Sequence, residues 1–318
     1  MHSAPEVVSI IIPTYNRADI VVQAIESARA QDYPSKQIIV VDDGSTDSTP
    51  AAVTRFSDVE YVRQQNGGPA SARNTGLKHA RANYIATLDS DDCWDKGYLA
   101  YAINRLQRHN AQIFFANWRE AEPDDSITCT DYFANVRRMQ PYLATADQSG
   151  DIALNPEQCR KLFLGGLPAP SSGLVMSRNL VKGWENLHFS EDWLMPLKAV
   201  LTDKPGCVFT NNVLWTKRRD GKNIYDLAVT TPQHKHKLAV DTDNVFSHVK
   251  EFLTLEETRE FRNTVAERYF DYAYSISSTD TMRALSFYKR SNEVLLRAKT
   301  CAAMLKTLVK AVAGKSAK

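Results

Sequence analysis

The sequence has no long hydrophobic run and no large excess of charge of one sign. Nowhere in its 318 residues is there a stretch close to the roughly 20 apolar residues that a membrane-spanning helix requires. The formal net charge is +2, so no chain-wide field favours a nucleic-acid partner. The first residues, which include Glu6, lack both the basic and the apolar region of a secretory signal. We therefore expect a cytoplasmic protein that does not bind nucleic acid.

Cysteine is scarce, and its spacing disfavours the usual cysteine-based sites. The cysteines are odd in number and form no CxxC pair, and no histidine follows them at the spacing of a zinc finger. We expect free thiols at Cys93, Cys129, Cys159, Cys207 and Cys301. Apolar residues make up 43% and charged residues 24% of the chain, as in ordinary globular proteins. The length suits one large domain with an appendage, or two domains.

A glycine-rich phosphate-binding loop is missing as well. The first apolar run, Val7 to Ile12, is followed by Pro13-Thr14-Tyr15-Asn16, which contains no glycine. P-loop enzymes and dinucleotide-dependent dehydrogenases need such glycines directly after the first strand. Both classes are therefore disfavoured.

Short apolar runs alternate with helical patterns over the first third of the chain. We predict strands at residues 7–12, 37–41, 59–63 and 84–88, and helices that begin near Asn16, Thr49 and Ala70. Asn16 and Thr49 are expected to cap their helices. This alternation predicts an α/β fold with a mostly parallel sheet flanked by helices. In such sheets, ligands bind beyond the carboxyl ends of the strands.

The remainder of the chain is less regular. Residues 117–151 are polar with no clear period, and from Asp243 to the end the pattern is helical, which predicts a C-terminal helical appendage. In the last helix, apolar residues recur at spacings of four and three, at Val294, Ala298, Cys301, Leu305, Leu308 and Val312. Lysines flank this stripe, and no acidic residue follows Glu293. Such a helix could contact a membrane surface, dock on the protein's own body, or pair with a second copy in a homodimer.

Asp89-Ser90-Asp91-Asp92 directly follows the fourth predicted strand. Two carboxylates at a strand end can share a hard divalent cation, since Mg²⁺ and Mn²⁺ prefer oxygen ligands together with substrate phosphates. An acidic turn at the start of the next helix explains the same residues, because the pattern after Trp94 is helical. The motif taken alone leaves both interpretations open.

Four segments, all at predicted strand ends, carry a family resemblance in the expected order. They are residues 8–17 (VSIIIPTYNR), 39–45 (IVVDDGS), 68–74 (GPASARN) and 89–92 (DSDD). Over residues 8–116 the chain resembles family 2 glycosyltransferases of the GT-A fold. The resemblance implies an inverting enzyme that transfers a sugar from a nucleotide-sugar donor and uses Mn²⁺ or Mg²⁺.

The resemblance implies that several residues bind the nucleotide. Tyr15 would stack on the base, usually uracil, with the backbone of Pro13 and Thr14 against it. Asp43 would hydrogen-bond the base or the ribose, and Arg73 would reach the base or the phosphates. The expected donor is therefore a UDP-sugar.

The same resemblance assigns roles around the phosphates. Asp89 would hold the ribose, Asp91 the metal ion, and Asp92 would lie near the donor sugar. Arg218 and Arg219 stand where the family often has a loop that closes over the diphosphate, although a solvated basic loop explains them equally well. Several members supply a histidine metal ligand from this loop, and the chain has none there.

Glu191-Asp192-Trp193 resembles the family's Glu-Asp motif. The resemblance implies that Asp192 is the general base and that Glu191 shapes the acceptor site, with Trp193 beside it. A single carboxylate that takes the acceptor's proton directly implies inversion. A Glu-Asp pair is also common at helix starts, where both acids favour the dipole. The expected acceptor is a glycan or a lipid-linked glycan.

These assignments divide the chain into three parts. Residues 1–118 would form the nucleotide-sugar-binding half of a GT-A domain, residues 119–225 its acceptor-binding half, and residues 226–318 a C-terminal helical region. Two other functions compete: a nucleotidyltransferase that makes a nucleotide sugar, and an inactive transferase-like binding module. The missing glycine loop weighs against the first, and the acidic residues of both motifs weigh against the second.

Overall fold

The structure, a computed structural model, describes residues 6–219 and 231–315, and these form two compact units. The first unit contains residues 6–186 and 191–219, and the second contains residues 187–190 and 231–315. The expected boundary between residues 225 and 226 lies outside the described ranges. Among the described residues, no helix is both long enough and apolar enough to cross a bilayer.

The first unit is built on a sheet that has ten strands within the described residues. The strands are β1 (Val8–Thr14), β2 (Lys36–Asp42), β3 (Glu60–Arg63), β4 (Tyr84–Thr87), β5 (Cys93–Trp94), β6 (Ile113–Ala121), β7 (Ile127–Cys129), β8 (Asp151–Leu154), β9 (Leu174–Ser177) and β10 (Cys207–Arg218). Their spatial order is β3-β2-β1-β4-β9-β6-β10-β5, with β7 beside β6 and β8 beside β10. The expected division between residues 118 and 119 falls inside β6, and both parts contribute strands to this sheet.

The predicted parallel sheet is confirmed for the first four strands. β3, β2, β1 and β4 run parallel to one another, and the side chains of β1 are buried along its whole length. Beyond β4 the sheet is mixed, because β9 runs antiparallel to both β4 and β6. A 3-10 turn at Ser171–Gly173 leads directly into β9, so the chain enters this strand where β4 ends.

Helices flank the sheet, as the alternating pattern predicts. The helices of the first unit are α1 (Val21–Arg29), α2 (Thr49–Val53), α3 (Pro69–His79), α4 (Tyr98–Arg108), α5 (Gln140–Leu143), α6 (Pro156–Leu164) and α7 (Glu191–Asp203). α1 shows why they form: Val21, Ala24, Ile25 and Ala28 are buried along one face at helical spacing, which gives the helix an apolar stripe for the sheet.

The two predicted helix caps are wrong. α1 begins after Ile20, without a side-chain cap, and Asn16 instead has a φ of 50° and accepts a hydrogen bond from the Thr46 backbone at 2.8 Å. Asn16 therefore ties two strand-end loops together. Thr49 lies within the first turn of α2, one residue after the N-cap, and its hydroxyl accepts from the Arg17 backbone at 2.9 Å.

The polar segment after residue 116 is more ordered than its sequence indicates. β6 continues through it to Ala121, and 3-10 turns follow at Phe133–Asn135 and Arg137–Met139. Phe133 and Met139 are fully buried. The helix expected after Trp94 begins only at Tyr98, because Cys93 and Trp94 pair with β10 as the short strand β5. All five cysteines are free thiols.

The second unit is helical, as predicted. Its helices are α8 (Pro232–Val249), α9 (Leu255–Ile276), α10 (Thr281–Val294) and α11 (Ala298–Lys315). α8 begins earlier than the expected start at Asp243. Its N-cap is Thr231, whose hydroxyl accepts a hydrogen bond from the His234 backbone. α9 and α10 share a hydrophobic core that includes Tyr272, Ile276 and Tyr288.

Candidate active site at the strand ends

The acidic loop after β4 is held in place from the far half of the chain. The Ser172 hydroxyl accepts from the Asp89 backbone at 3.0 Å and donates to Asp92 Oδ2 at 2.6 Å. Asp92 Oδ1 accepts from the Arg218 backbone at 3.1 Å. Asp92 is fully buried, and burial together with its acidic neighbours raises its pKa to about 7. Both oxygens of Asp92 thus bind protein donors, and its place near the donor sugar stays a prediction.

The remaining acids of the loop fit a hard divalent cation. Carboxylate oxygens of Asp89, Asp91 and Asp92 lie within 4.8 Å of one another. With Asp92 engaged by protein donors, Asp89 and Asp91 are the pair with oxygens to offer. Burial, and then the charge of Asp89, raise the pKa of Asp91, while the charges of Lys217 and Arg17 offset part of this shift. Carboxylate oxygens of this kind suit Mg²⁺ or Mn²⁺.

Arg73 lies at the centre of a second cluster of acids. It is on α3 and only 3% exposed. Its Nη2 donates to Asp89 Oδ1 at 2.7 Å, and its Nη1 donates to Glu191 Oε1 at 3.2 Å. Nη1 also lies 3.0 Å from Asp192 Oδ1 as an ion pair. The three carboxylates raise the pKa of Arg73 above its ordinary value despite its burial. The guanidinium expected to bind the nucleotide is thus surrounded by carboxylates.

Glu191 and Asp192 form the first turn of α7. Burial, and then the charge of Asp192, raise the pKa of Glu191 to about 7. Burial also raises the pKa of Asp192, while the charge of Arg73 and a hydrogen bond with Ser171 partly offset this shift. A carboxylate with a raised pKa is a better proton acceptor than an ordinary aspartate. Glu191 and Asp192, which are predicted to serve the acceptor, therefore contact the same guanidinium of Arg73 as the donor-side Asp89.

The residues expected to bind the base lie at the end of β1. Tyr15 is 45% exposed, whereas Pro13 and Thr14 are buried. Asp43 is buried too, and its oxygens accept from the Gln64 side chain and from the backbones of Gly67 and Gly68, at 2.6, 2.9 and 2.7 Å. Asp43 thus anchors the turn before α3, and its contact with a nucleotide stays a prediction.

The basic residues at the end of β10 divide into two groups. Arg218 forms an ion pair with Asp125, and Arg219 forms one with Glu120, each at 2.7 Å. The ammonium of Lys217, by contrast, lowers the pKa of Asp91, of Asp92 and of Asp192. Lys217 therefore lies close enough to these three acids to favour their ionised forms. The residues that follow Arg219 in the predicted loop are not among the described residues.

Two tryptophans near the predicted acceptor motif are held by protein contacts. The indole N–H of Trp193 donates to the Phe163 carbonyl at 2.7 Å. Trp184 is 5% exposed and its backbone pairs with the Asn74 amide, so it belongs to the core and not to an open cleft. In the second unit, the ring of His234 stacks on Phe189.

Sequence reasoning missed how Ser171 and Ser172 connect the two acidic segments. Ser172 holds the acidic loop, and its neighbour Ser171 bonds Asp192. The only local signal was a Ser-Ser pair before a glycine, which is typical of any turn. The partners lie 80 residues apart for Ser172 and Asp92, so no local pattern could have identified them.

Comparison with known proteins identifies a family to which part of the chain is similar. Residues 9–149 match the model of glycosyl transferase family 2. Over these residues, which are less than half of the chain, the protein is similar to glycosyl transferase family 2. The family 2 segment includes the acidic loop and Arg73, whereas Glu191 and Asp192 lie beyond it.

One sequence relative and two solved structures are informative. The UDP-Glc:alpha-D-GlcNAc-diphosphoundecaprenol beta-1,3-glucosyltransferase WfgD of Escherichia coli is 38% identical over 114 residues, 35% of this chain and 45% of that protein. TarS of S. aureus in complex with UDP-GlcNAc has a TM-score of 0.61 at 18% identity, covering 93% of this chain and 83% of that chain. The mannosyltransferase PcManGT of Pyrobaculum calidifontis in complex with GDP-Man and Mn²⁺ has a TM-score of 0.57 at 19% identity, covering 98% and 87%.

The structural matches cover more of the chain than the sequence matches do. The structural neighbours, at 18% and 19% identity, show the GT-A fold of this chain. The sequence matches are shorter, and they span 16% to 46% of the lengths of the curated relatives.

Proposed function

We propose that the protein is an inverting glycosyltransferase that moves a sugar from a UDP-sugar to a glycan or lipid-linked acceptor. The main support is the arrangement around Arg73, where Asp89 of the acidic loop and Asp192 of α7 contact one guanidinium. Two acidic segments that the sequence separates widely thus meet at the carboxyl ends of the strands, where α/β sheets bind ligands.

The donor site is formed by residues 1–118 in this proposal. Tyr15, with nearly half of its surface exposed, stacks on the base, and Asp43 and Asp89 bind the nucleoside. UDP as the nucleotide is supported by the names of WfgD and of the TarS complex, which specify UDP-Glc and UDP-GlcNAc. Lys217, with Arg218 and Arg219 beyond it, contributes positive charge near the diphosphate.

The chemistry is a single displacement. A carboxylate oxygen of Asp192 takes the proton of the acceptor hydroxyl as that oxygen bonds the anomeric carbon. The bond from the anomeric carbon to the diphosphate breaks, and the nucleoside diphosphate leaves with the electron pair. One displacement inverts the anomeric configuration. Asp91, with Asp89 beside it, would hold a divalent cation, which when bound neutralises charge on the diphosphate.

The acceptor side is formed by residues 119–225 in this proposal. Glu191 shapes the acceptor site beside Asp192, and Trp193 lies next to both in the first turn of α7. The name of WfgD specifies a diphosphoundecaprenol acceptor, which supports a lipid-linked acceptor for this chain and a location on the cytoplasmic face of the cell membrane.

The helix α11 contacts an anionic membrane in this proposal. Its apolar stripe faces outward: Leu305 is 64% exposed, Leu308 44% and Val309 59%. Over residues 298–309, whose side chains the structure describes, Thr300 and Thr307 are instead the buried residues, so Leu305, Leu308 and Val309 are not covered by the other helices of this unit. The sequence after Glu293 contains lysine and arginine but no acid, which suits anionic headgroups.

A thermal-shift panel of UDP, GDP, CDP and dTDP, each with and without Mn²⁺, tests the proposed donor. A nucleotide that binds only the folded protein stabilises it, by about 2.7 kcal/mol at 100 times its Kd. UDP should give the largest shift, and Mn²⁺ should increase it. Asp91→Ala should abolish the increase, while the exposed Asp124→Ala serves as the control. A panel without any shift, or a metal effect that survives Asp91→Ala, would contradict the proposal.

A further inference from the structure

Arg73 makes all its described polar contacts with carboxylates from two distant parts of the chain. Nη2 bonds Asp89 on the donor side, and Nη1 contacts both Glu191 and Asp192 on the acceptor side. The arginine is 3% exposed, so its guanidinium has little surface for a ligand. A residue that bound the base or the phosphates directly would need such a surface.

We propose that Arg73 is a positioning residue that couples the donor-side Asp89 to the general base Asp192. One rigid guanidinium holds both carboxylates, so an Asp89 that is fixed by the nucleoside also fixes the orientation of Asp192. This inference rests on the proposed function, in which Asp192 takes the acceptor's proton.

The geometry requires arginine and not merely a cation. The guanidinium is planar and presents separate N–H donors in a fixed fork, whereas a lysine ammonium is a compact point charge. Lysine at this position could approach one carboxylate but could not span the Nη1 and Nη2 contacts together. The hydrogen bond of Nη1 goes to Glu191, and Asp192 Oδ1 has no hydrogen-bond donor among the described residues. Arg73 thus orients the base by charge without donating a proton to Oδ1.

The charge balance of the cluster supports the same role. A single guanidinium faces three acids, and the side chains of Glu191 and Asp192 are 8% and 17% exposed. Buried carboxylates without a cation are strongly disfavoured in their ionised form. Arg73 therefore keeps an ionised base available inside the site, in addition to orienting it.

Arg73→Lys tests the proposal against direct nucleotide binding. The measurements are kcat for hydrolysis of the UDP-sugar that the protein turns over fastest, and the Kd of UDP with Mn²⁺ by calorimetry. A positioning role predicts a fall in kcat of roughly 10²-fold, within the range for losing general-base help, while Kd changes less than about threefold. A Kd that rises as much as kcat falls would overturn the proposal. Arg81→Lys, whose side chain is 79% exposed, is the control.

A double-mutant cycle with Asp192→Asn isolates the connection to the base. If Arg73 acts through Asp192, the double variant should be no slower than Asp192→Asn alone, because residues that act as a unit are non-additive. Multiplying losses would show that Arg73 acts elsewhere and would overturn the proposal. Should Arg73→Lys fail to fold, Arg73→Gln combined with Glu191→Gln removes one charge of each sign and takes its place in the cycle.

Failure of the proposed function is separable from failure of this inference. A wild-type protein that binds no nucleotide and hydrolyses no UDP-sugar refutes the function and the inference with it. A wild-type protein that is active, together with an Arg73→Lys variant of equal kcat, refutes the inference alone.

Discussion

At the scale of single residues, the site gathers more negative than positive charge in a buried place. Asp89, Asp91, Glu191 and Asp192 approach one another with Arg73 as the cation that all but Asp91 contact. Such clusters are costly to fold. The raised pKa values of Asp91, Glu191 and Asp192 follow first from burial and then from this crowding, and such values are common where carboxylates transfer protons.

Asp192→Asn separates catalysis from donor binding. The amide keeps the shape of the side chain but cannot take the acceptor's proton, so kcat should fall by roughly 10² to 10⁴-fold. The Kd of UDP should stay unchanged, because the nucleotide does not need this carboxylate. Asp203→Asn at the exposed end of the same helix should behave as wild type. Turnover above about a tenth of wild type in Asp192→Asn would exclude it as the base.

Glu191 predicts a pH dependence of stability. Its pKa is raised to about 7 in the folded protein from an ordinary 4.5, so between these values the folded state holds a proton that the unfolded state has lost. The contribution of Glu191 to the free energy of unfolding therefore falls as pH rises from about 4.5 to about 7, and is constant above. Glu191→Gln removes this dependence.

Urea unfolding of wild type and Glu191→Gln over this pH range measures the effect. The free energy of unfolding of wild type should fall relative to that of the variant by a few kcal/mol. Both proteins share every other titrating group, so their difference reports Glu191 together with its effect on its neighbours Asp192 and Arg73. Parallel pH profiles would mean that the pKa of Glu191 is not raised.

At the scale of elements, α3 packs directly against β1 at Gly76. A Cβ at Gly76 would lie 2.4 Å from Ile11 Cγ2, and Ile11 is fully buried. Arg73 precedes Gly76 by about one turn on the same helix. The absence of a side chain at Gly76 thus brings the guanidinium to the depth at which it meets the acids.

Gly76→Ala should therefore destabilise the protein although alanine favours helices. Helix propensity gains about 1 kcal/mol, but overpacking of a dense core costs roughly 1–3 kcal/mol, so the net change is a loss. kcat should fall too, because α3 carries Arg73. Gly97→Ala at the start of α4, where a Cβ would meet nothing within 4 Å, is the control. If Gly76→Ala had a higher unfolding temperature than Gly97→Ala, this account would be contradicted.

At the scale of the whole molecule, the outward face of α11 predicts membrane binding. Leu305→Glu places a charge in the exposed stripe and should reduce co-sedimentation with anionic vesicles about tenfold or more, since burying a leucine gains roughly 1.5–3 kcal/mol. Leu255→Glu makes the same chemical change at a leucine that is 93% exposed on α9. It should bind vesicles as wild type does.

The oligomeric state decides between the two uses of the stripe. If both variants lose vesicle binding equally, net charge and not the stripe governs it. If neither changes vesicle binding but Leu305→Glu converts a dimer to a monomer in light scattering, the stripe joins two copies of the chain instead of binding a membrane.

Local patterns in the sequence determined the strands, the flanking helices and the acidic loop. Runs such as Ile10-Ile11-Ile12 are buried on both faces because β-branched residues suit a parallel strand, and a motif such as Asp89-Ser90-Asp91-Asp92 is contiguous. The helical end of the chain was likewise readable from its period. In each case the information lies within a few neighbouring residues.

Tertiary structure alone decided which side chains meet. Arg73 and Glu191 are 118 residues apart, and Asp92 and the Arg218 backbone 126, so no local pattern contains these contacts. In the folded chain Arg73 contacts the acids and Asp92 is buried. Arg218 pairs with Asp125, and Arg219 pairs with Glu120. The orientation of α11 is also a tertiary property. The spacing of apolar residues identifies a stripe on the helix, but packing against other helices determines which face is covered. Partners distant in sequence are selected by how the elements pack.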